Sequence, residues 1–215
     1  MTSKSAIDCL FLDIGGVLLN DGWGHVVRLA ASAHFDLEID ELELRHEINF
    51  SVYEEGQLSL SDYLDRVVFY KPRSFTQNEF REFLFAQSMP DAPMIDLIIR
   101  LKKKYELKVF VLSNEARELN AHRIKSFGLS DFVDGFISSC YVHLRKPDIR
   151  IFRLALDVAQ VLPAEAIYIE NTPLFVEIAE GLGIKSILHS SYESTRMKLA
   201  EWGLSTAESV SYETN

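Results

Sequence analysis

Six polar residues stand out because each lies at the end of an apolar run or in a loop that leads to a helical pattern. They are Asp13, Ser113, Asn114, Lys146, Glu170 and Asn171. If the apolar runs are parallel strands, their carboxyl ends converge on one edge of a sheet, where residues about a hundred positions apart can share a site. Carboxylate, hydroxyl, amide and amine groups would then face a common ligand, a set suited to nucleophilic and electrostatic chemistry.

Each of these residues also has a purely structural interpretation. An Asp before two glycines is usually a turn residue, and the Ser-Asn pair at 113–114 could cap the following helix. Lys146 could lie in a solvated turn, and the pair at 170–171 could also be capping. Because the four positions occur together in this order, the functional interpretation is favoured.

The elements that must position these residues begin with short apolar runs. The runs end at Leu12, Leu112, Ile169 and Leu188, and a weaker strand candidate includes Phe136-Ile137. Continuous apolar runs, rather than alternating ones, favour a parallel sheet that is covered on both faces.

Helical spacing separates these runs. One predicted apolar face consists of Met94, Leu97, Ile98 and Leu101, and another consists of Ile149, Phe152, Leu156 and Ala159. Possible capping boxes at 76–79 and 190–193 open two further helices. Strand and helix alternate from residue 94 onwards, which predicts an α/β fold with a doubly wound, Rossmann-like parallel sheet.

The segment 20–89 differs, because it has helical spacing and no clear strand. We expect it to form an all-α helical cap inserted into a core domain of residues 1–19 and 90–215. An insert after the first strand lies over the carboxyl ends of the strands, where such sheets bind ligands. A helical subdomain that only completes the core is the other interpretation.

Four segments together resemble the motifs of the haloacid dehalogenase (HAD) superfamily of hydrolases. They are FLDIGGVL at 11–18, VFVLSN at 109–114, LRKPD at 144–148 and AIYIEN at 166–171. The resemblance extends over nearly the whole chain, from Ile7 to Leu188. The position of the helical segment resembles the subclass with a cap between motifs one and two.

The resemblance implies catalytic roles for three residues. Asp13 matches the nucleophile, which attacks phosphorus and forms an aspartyl phosphate; a carboxylate nucleophile divides one difficult displacement into two easier ones. Ser113 matches the group that holds the transferring phosphoryl oxygens. Lys146 matches the cation that offsets negative charge on the nucleophile and the phosphate.

The resemblance also implies phosphate and metal contacts. The phosphate would be bound by Gly15, Gly16, Asn114 and Arg145. A Mg²⁺ ion is implied against the Asp13 carboxylate and the Gly15 carbonyl oxygen, with Glu170 and Asn171 completing its ligands, because Mg²⁺ prefers hard oxygen donors.

Two positions depart from the family pattern. The family's general acid/base is an Asp two residues after the nucleophile, and here that position is Gly15, which favours substrates with good leaving groups. Water, the substrate or, as a more speculative substitute, His143 could relay the proton. The second acid of motif four is replaced by Asn171, which removes a negative charge and is expected to weaken Mg²⁺ binding.

Three functions are therefore open. The favoured one is a Mg²⁺-dependent phosphatase of a small phosphorylated metabolite. The alternative is a catalytically weak or inactive ligand-binding or interaction protein with the same fold, and a further alternative is a metal-independent dehalogenase-type hydrolase. The cap would set the substrate, and the residues expected near its mouth are Asn20, Asp21, Trp23 and His25.

The composition limits the classes of partner and the cellular compartment that are expected. The chain has 215 residues with 22 Lys and Arg against 32 Asp and Glu, a net charge of −10. That balance argues against nucleic acid and anionic membranes as partners, since both require basic patches. The absence of a long apolar run argues against a membrane span. Cys9 and Cys140 are expected to be free buried thiols, which favours a cytoplasmic setting. The oligomeric state, a monomer or a homodimer, stays open.

Overall fold

The fold is organised by a five-stranded parallel sheet. A computed structural model describes residues 7–206, and within them the strands are Cys9–Leu12 (β1), Lys108–Ser113 (β2), Gly135–Ser138 (β3), Ala166–Glu170 (β4) and Lys185–Leu188 (β5). Their order across the sheet is β3-β2-β1-β4-β5, and all neighbouring pairs are parallel. The predicted α/β fold with a Rossmann-like sheet is confirmed, including the weaker strand at β3.

The helices follow the strands in alternation after the first strand and its long insert. Those of residues 7–206 are His25–Phe35 (α1), Ile39–Glu54 (α2), Leu60–Val67 (α3), Gln77–Ala86 (α4), Ala92–Tyr105 (α5), Arg117–Ser126 (α6), Ser139–Val142 (α7), Ile149–Ala159 (α8), Pro173–Gly181 (α9) and Tyr192–Glu201 (α10).

Helices cover both faces of the sheet because the side chains of each strand alternate between them. In β1, Leu10 and Leu12 join the hydrophobic cluster that contains residues of α5 and α10. Cys9 and Phe11 point to the opposite face and join the cluster that contains residues of α8 and α9. Burial on both faces explains why β1 is apolar at every position.

The register of the strands aligns their carboxyl ends. Leu12 of β1 pairs with Val111 of β2 and with Ile169 of β4. The residues that follow, Asp13 and Glu170, therefore lie at the same edge of the sheet, one residue beyond this paired row. Ser113 ends β2 at that edge as well.

Helices α1–α4 form a helical block with a hydrophobic core of its own. Trp23, Tyr63, Leu64 and Phe80 are buried in this core, together with Leu119 of α6, so the block also packs on the sheet-bearing part. The start of α4 carries the predicted capping box, in which the Thr76 side chain and the Glu79 side chain each bond to the other's backbone N–H.

The two chain connections to the helical block are paired with each other. Leu19 and Pro90 form an isolated antiparallel bridge. Asn20 N donates to Met89 O at 3.0 Å, and Asp91 N donates to Leu18 O at 2.8 Å. The expected boundaries at 19–20 and 89–90 fall inside this paired segment, although the division into domains remains a prediction.

Two local predictions were wrong in part. In α8 Phe152 and Ala159 are buried as predicted, together with Ile151 and Ala155. Ile149 is exposed, because the helix begins at residue 149 with Asp148 as its N-cap and turns its first residue outwards. The last helix is capped one residue later than predicted, since the Ser191 side chain accepts from the Ser194 backbone N–H.

The composition-based expectations that the structure addresses concern the cysteines and a membrane span. Cys9 and Cys140 are buried free thiols, as predicted. Among residues 7–206, no helix is both long enough and apolar enough to cross a membrane.

Candidate active site

Asp13 follows β1 directly and lies at the bottom of a cavity between the sheet edge and the helical block. Its carboxylate accepts a hydrogen bond from the Ile14 backbone N–H at 2.9 Å and lies 3.2 Å from Lys146 Nζ. Burial raises the pKa of Asp13 to about 6, although the Lys146 charge acts in the opposite direction, and Glu170 raises it further. The carboxylate is desolvated and held in one orientation, as a nucleophile requires.

Lys146 is buried and has a complete set of partners. Its ammonium group donates to Glu170 Oε2 at 2.6 Å, to the Tyr168 hydroxyl at 3.1 Å and to Leu112 O at 3.2 Å. Burial alone would lower the pKa of Lys146, but the carboxylates of Asp13 and Glu170 raise it above its usual value. The amine therefore stays charged beside Asp13.

Asn114 holds the backbone of Lys146 in place. The Asn114 side-chain NH₂ donates to Lys146 O at 2.9 Å, and Lys146 N donates to Asn114 Oδ1 at 2.8 Å. This two-way contact joins the end of β2 to the loop before α8. Asn114 thus positions the amine, and it also lines the cavity beside Asp13.

Glu170 is fully buried and uses both of its carboxylate oxygens inside the protein. Oε1 accepts from the backbone N–H groups of Asn171 and Thr172, each at 2.9 Å. Oε2 accepts from Lys146 and from the Tyr168 hydroxyl. The structure thus places Glu170 as the counter-ion of Lys146 and as a cap on the backbone that leads into α9; a direct metal contact remains a prediction.

Ser113 brings a buried hydroxyl to the same edge. The residue is 1% exposed, and its Oγ has no hydrogen-bond partner among the described residues. The hydroxyl nevertheless lies close enough to Asp13 to lower the pKa of that carboxyl. A buried hydroxyl without a partner is a cost unless a ligand satisfies it.

The two glycines after Asp13 leave room for neighbouring side chains. A Cβ at Gly16, whose φ is +71°, would lie 2.0 Å from Asn171 Nδ2, so the Asn171 amide fits only because the residue is glycine. A Cβ at Gly15 would lie 3.2 Å from Asp21 Oδ1. Asp21 therefore places a carboxylate beside the position where the missing family acid would begin.

The structure directs two sequence-predicted residues towards the helical block. Arg145 donates from Nε and Nη2 to Glu54 Oε2, at 3.0 and 2.6 Å. His143 Nδ1 lies 2.7 Å from the Glu55 carbonyl oxygen. Neither residue lines the cavity that contains Asp13. A phosphate contact from Arg145 and a proton relay through His143 remain predictions without a supporting contact.

The cavity above Asp13 has a volume of about 260 Å³. Of the four residues expected at its mouth, Asp21, Trp23 and His25 line it. Asn20 does not, because its side chain bridges the two chain connections through Gln87 O and the Met89 N–H. The remaining walls come from α1, α2, α4 and α6.

Sequence reasoning missed several polar residues of this region, among them Tyr168, Glu115 and Arg123. Tyr168 lies two residues before Glu170 on the same side of β4, a period-two spacing that could have indicated its contact with Lys146. Glu115 follows the second motif and is ion-paired with the buried Arg123, which also donates to Asn20 O. Burial raises the pKa of Glu115 to about 7, although Arg123 lowers it.

Comparison with solved structures shows the same fold. An HAD family enzyme from Bacteroides thetaiotaomicron, in complex with magnesium and inorganic phosphate, matches with a TM-score of 0.72 at 19% identity, over 86% of this chain and 94% of that one. The L-2-haloacid dehalogenase from Xanthobacter autotrophicus, with chloropropionic acid covalently bound, matches with a TM-score of 0.61 at 18% identity, over 93% and 84% of the two chains.

Comparison of the sequence reaches a curated relative and a family. The chain is 26% identical over 121 residues to bifunctional epoxide hydrolase 2 of Sus scrofa, covering 54% of this chain and 22% of that protein, so it spans only about a fifth of the relative's length. The family model for haloacid dehalogenase-like hydrolases matches residues 7–183. This match covers most of the chain, and the protein belongs to the haloacid dehalogenase-like hydrolase family.

Proposed function

We propose that the protein is a Mg²⁺-dependent phosphatase of a small phosphorylated metabolite that works through an aspartyl phosphate on Asp13. The observation that carries the proposal is the juxtaposition of Asp13, the buried Lys146 ammonium at 3.2 Å and the unpartnered Ser113 hydroxyl at one sheet edge. The structural likeness to an enzyme in complex with magnesium and inorganic phosphate supports it.

In the first step, an Asp13 oxygen attacks phosphorus, the bond from phosphorus to the ester oxygen breaks, and the alcohol leaves with a proton taken from water. In the second step, water attacks phosphorus, the bond from phosphorus to the Asp13 oxygen breaks, inorganic phosphate leaves, and the Asp13 carboxylate is restored. Lys146 offsets the negative charge that gathers on Asp13 and on the phosphoryl oxygens, and Ser113 donates its hydrogen bond to one of them. Positioning and electrostatics of this kind supply most of the catalysis in phosphoryl transfer.

The oxygen donors around Asp13 fit a Mg²⁺ ion that is held weakly by the protein. The donors are the Asp13 carboxylate, the Gly15 carbonyl and the side-chain amide of Asn171, whose residues all line the cavity. Mg²⁺ commonly binds through one or two carboxylates together with substrate phosphate and water. When bound, the ion supplies neutralisation of charge on the phosphoryl oxygens. Because both Glu170 oxygens are engaged, one carboxylate carries the site, and low Mg²⁺ affinity is expected.

The site is expected to protonate the leaving oxygen poorly, because Gly15 has no side chain that could act as the general acid. A positioned acid typically contributes about 10²–10⁴-fold. We therefore expect esters with good leaving groups, such as p-nitrophenyl phosphate, to be hydrolysed faster than alkyl phosphates.

The test is an assay of the purified protein on p-nitrophenyl phosphate and a panel of sugar phosphates, with Mg²⁺ or with EDTA. Asp13→Asn should abolish turnover, and EDTA should reduce it. Asp96→Asn is the matched control, since Asp96 is 56% exposed on α5 and forms only a surface pair with Arg100. Hydrolysis that persists in Asp13→Asn would overturn the nucleophile assignment, and equal rates with and without EDTA would overturn the metal requirement.

A non-catalytic phosphate-binding protein is the second candidate. The observation that favours it is the loss of both family acids, at Gly15 and Asn171. In addition, both Glu170 oxygens are engaged, one by Lys146 and Tyr168 and the other by backbone N–H groups. It predicts that inorganic phosphate binds the wild-type protein while no ester on the panel is hydrolysed.

A further inference from the structure

The walls of the cavity above Asp13 carry more negative than positive charge. Four carboxylates line it, from Asp13, Asp21, Glu54 and Glu115, against the two guanidinium groups of Arg28 and Arg123. Its volume of about 260 Å³ is just below the usual range for ligand pockets. Beyond the phosphate itself, the walls therefore favour a small group that brings no further negative charge.

The positive groups of the walls are already paired with protein acceptors. Arg28 donates from Nε to both oxygens of Glu43 at 2.9 Å, and from Nη1 to Trp23 O at 2.5 Å. Arg123 is paired with Glu115. His25 Nδ1 lies 2.8 Å from the same Glu43. A second anionic group on the ligand would have to compete with these carboxylates.

Hydrogen-bonding groups without protein partners lie on the same walls. The Tyr53 hydroxyl belongs to a residue that is 2% exposed, and it has no partner in the described part of the chain. Glu54 binds Arg145 through Oε2 alone, and Glu115 binds Arg123 through Oε1 alone. No donor within residues 7–206 reaches the second oxygen of either carboxylate. The Nε–H of Arg123 also has no partner among the described residues. Two donors and two acceptors are thus free for a ligand.

The remaining wall is apolar and presents ring and methyl surface. Trp23, Phe50, Leu84 and Leu119 line it. The Trp23 N–H is not available, because it donates to the Tyr63 hydroxyl at 2.7 Å. A ligand with hydroxyl groups on its edges and C–H groups on one face complements an apolar wall beside carboxylates and a tyrosine hydroxyl.

We infer that the phosphate ester hydrolysed here carries an uncharged, polyhydroxylated leaving group, a small sugar or polyol, and that Tyr53 and Glu54 select it against leaving groups with a second anionic group. The inference rests on the proposed phosphatase function and specifies its substrate class. Glu54 accepts a hydroxyl hydrogen bond, and Tyr53 donates one to a ligand oxygen. A carboxylate or second phosphate in the same place would face Glu54 and Glu115, and like charges brought together in a desolvated site are strongly unfavourable.

A matched pair of esters tests the inference. Glycerol 3-phosphate and 3-phosphoglycerate share a three-carbon frame and differ in whether the leaving group ends in CH₂OH or in a carboxylate. For the wild-type protein with Mg²⁺, kcat/KM should be at least about tenfold higher for glycerol 3-phosphate. An equal kcat/KM, or a preference for 3-phosphoglycerate, would overturn the inference.

Two variants assign the preference to named groups. Glu54→Gln should reduce the ratio of kcat/KM for glycerol 3-phosphate to kcat/KM for 3-phosphoglycerate, because the amide no longer repels a carboxylate. Tyr53→Phe should raise KM for glycerol 3-phosphate about three- to tenfold without lowering thermal stability, because the lost hydroxyl has no partner in the part of the chain that the structure describes. Tyr141→Phe, on α7 outside the cavity, is the control and should change neither quantity. Unchanged ratios in Glu54→Gln together with an unchanged KM in Tyr53→Phe would contradict the assignment.

Failure of this inference is distinguishable from failure of the proposed function. If p-nitrophenyl phosphate is hydrolysed in an Asp13-dependent manner without any preference between the two esters, only the substrate class is wrong. If no ester is hydrolysed, the phosphatase itself is wrong, and the substrate class is rejected with it. Calorimetric titration of Asp13→Asn with both esters gives an independent readout, in which glycerol 3-phosphate should bind more tightly.

Discussion

The two sides of the cavity differ in how their polar groups are satisfied. On the sheet side, the Lys146 ammonium and both oxygens of Glu170 are bonded within the protein, and the Ser113 hydroxyl beside them has no partner among residues 7–206. On the side of the helical block, the Tyr53 hydroxyl has no partner and Glu54 is bound through one oxygen. A rigid, internally paired charge site is suited to the phosphoryl group that all substrates share, whereas unpaired groups are suited to the part that distinguishes them.

The largest loss of stability and activity is expected when the cation is removed from the sheet side of the cavity, where the charges are paired. Lys146→Met leaves the buried carboxylates of Asp13 and Glu170 without their cation, so the free energy of unfolding should fall by about 3–5 kcal/mol and turnover should be lost. Urea unfolding measures the first and the phosphatase assay the second.

The control for this change is Lys198→Met, which removes an exposed pair with Glu201 and should cost less than about 1 kcal/mol. The double variant Lys146→Met with Glu170→Gln should recover part of the stability and none of the activity. If Lys146→Met is as stable as Lys198→Met, the paired side is not the rigid site described above.

A smaller loss of stability is expected from protonation of a buried histidine in the helical block. His46 is buried and contacts the Tyr63 hydroxyl, and burial lowers its pKa to about 4, with Arg28 acting in the same direction. Below pH 6.5 the unfolded chain therefore binds a proton that the folded chain does not. Stability from this residue is complete above pH 6.5 and is lost as the pH falls to 4, by about 3 kcal/mol.

Measurements of unfolding free energy between pH 7 and pH 4 check this linkage. His46→Phe should flatten the slope relative to wild type, whereas His34→Gln, at an exposed position on α1, should leave the slope unchanged. Parallel slopes for wild type and His46→Phe would contradict a buried neutral histidine.

Substitutions of two glycines are expected to change stability by intermediate amounts and in opposite directions. Gly16→Ala places a methyl group against the Asn171 amide at a positive φ, and should cost about 1–3 kcal/mol and reduce turnover. Gly181→Ala, in α9, should instead stabilise by roughly 0.5–1 kcal/mol, because no atom of residues 7–206 outside its own helical backbone and chain neighbours lies within 4 Å of the Cβ position. Thermal unfolding of both variants measures these changes. Shifts of Tm with the same sign would contradict the close contact between Gly16 and the Asn171 side chain.

The smallest change in stability is expected from substitutions of Tyr53 and Tyr63, whose rings are stacked with their centroids 4.4 Å apart. Tyr63→Phe removes the acceptor of the Trp23 N–H and the partner of His46, and should cost about 1–2 kcal/mol. Tyr53→Phe removes a hydroxyl that has no partner within residues 7–206, and should be neutral or slightly stabilising. Equal losses of stability would show that Tyr53 is satisfied within the protein and is not available to a ligand.

The same contrast explains what could be predicted from the sequence. The sheet edge was predictable because Asp13, Ser113 and Glu170 follow continuous apolar runs, and parallel strands bring such ends together. Glu54 and Tyr53 were not, because they lie within α2 and reach the site only through the packing of the helical block, which no local pattern records. Ile149 was wrongly assigned to the buried face of α8 for a local reason, since the Asp148 cap sets where the helix begins and which residues turn inwards.

The most direct test of the central claim is a rapid acid quench with a ³²P-labelled phosphate ester in the presence of Mg²⁺, followed by mapping of the labelled peptide. We predict covalent label on the peptide that contains Asp13 in the wild-type protein, and none in Asp13→Asn. Turnover by the wild-type protein without label at Asp13, together with turnover by Asp13→Asn, would contradict the account.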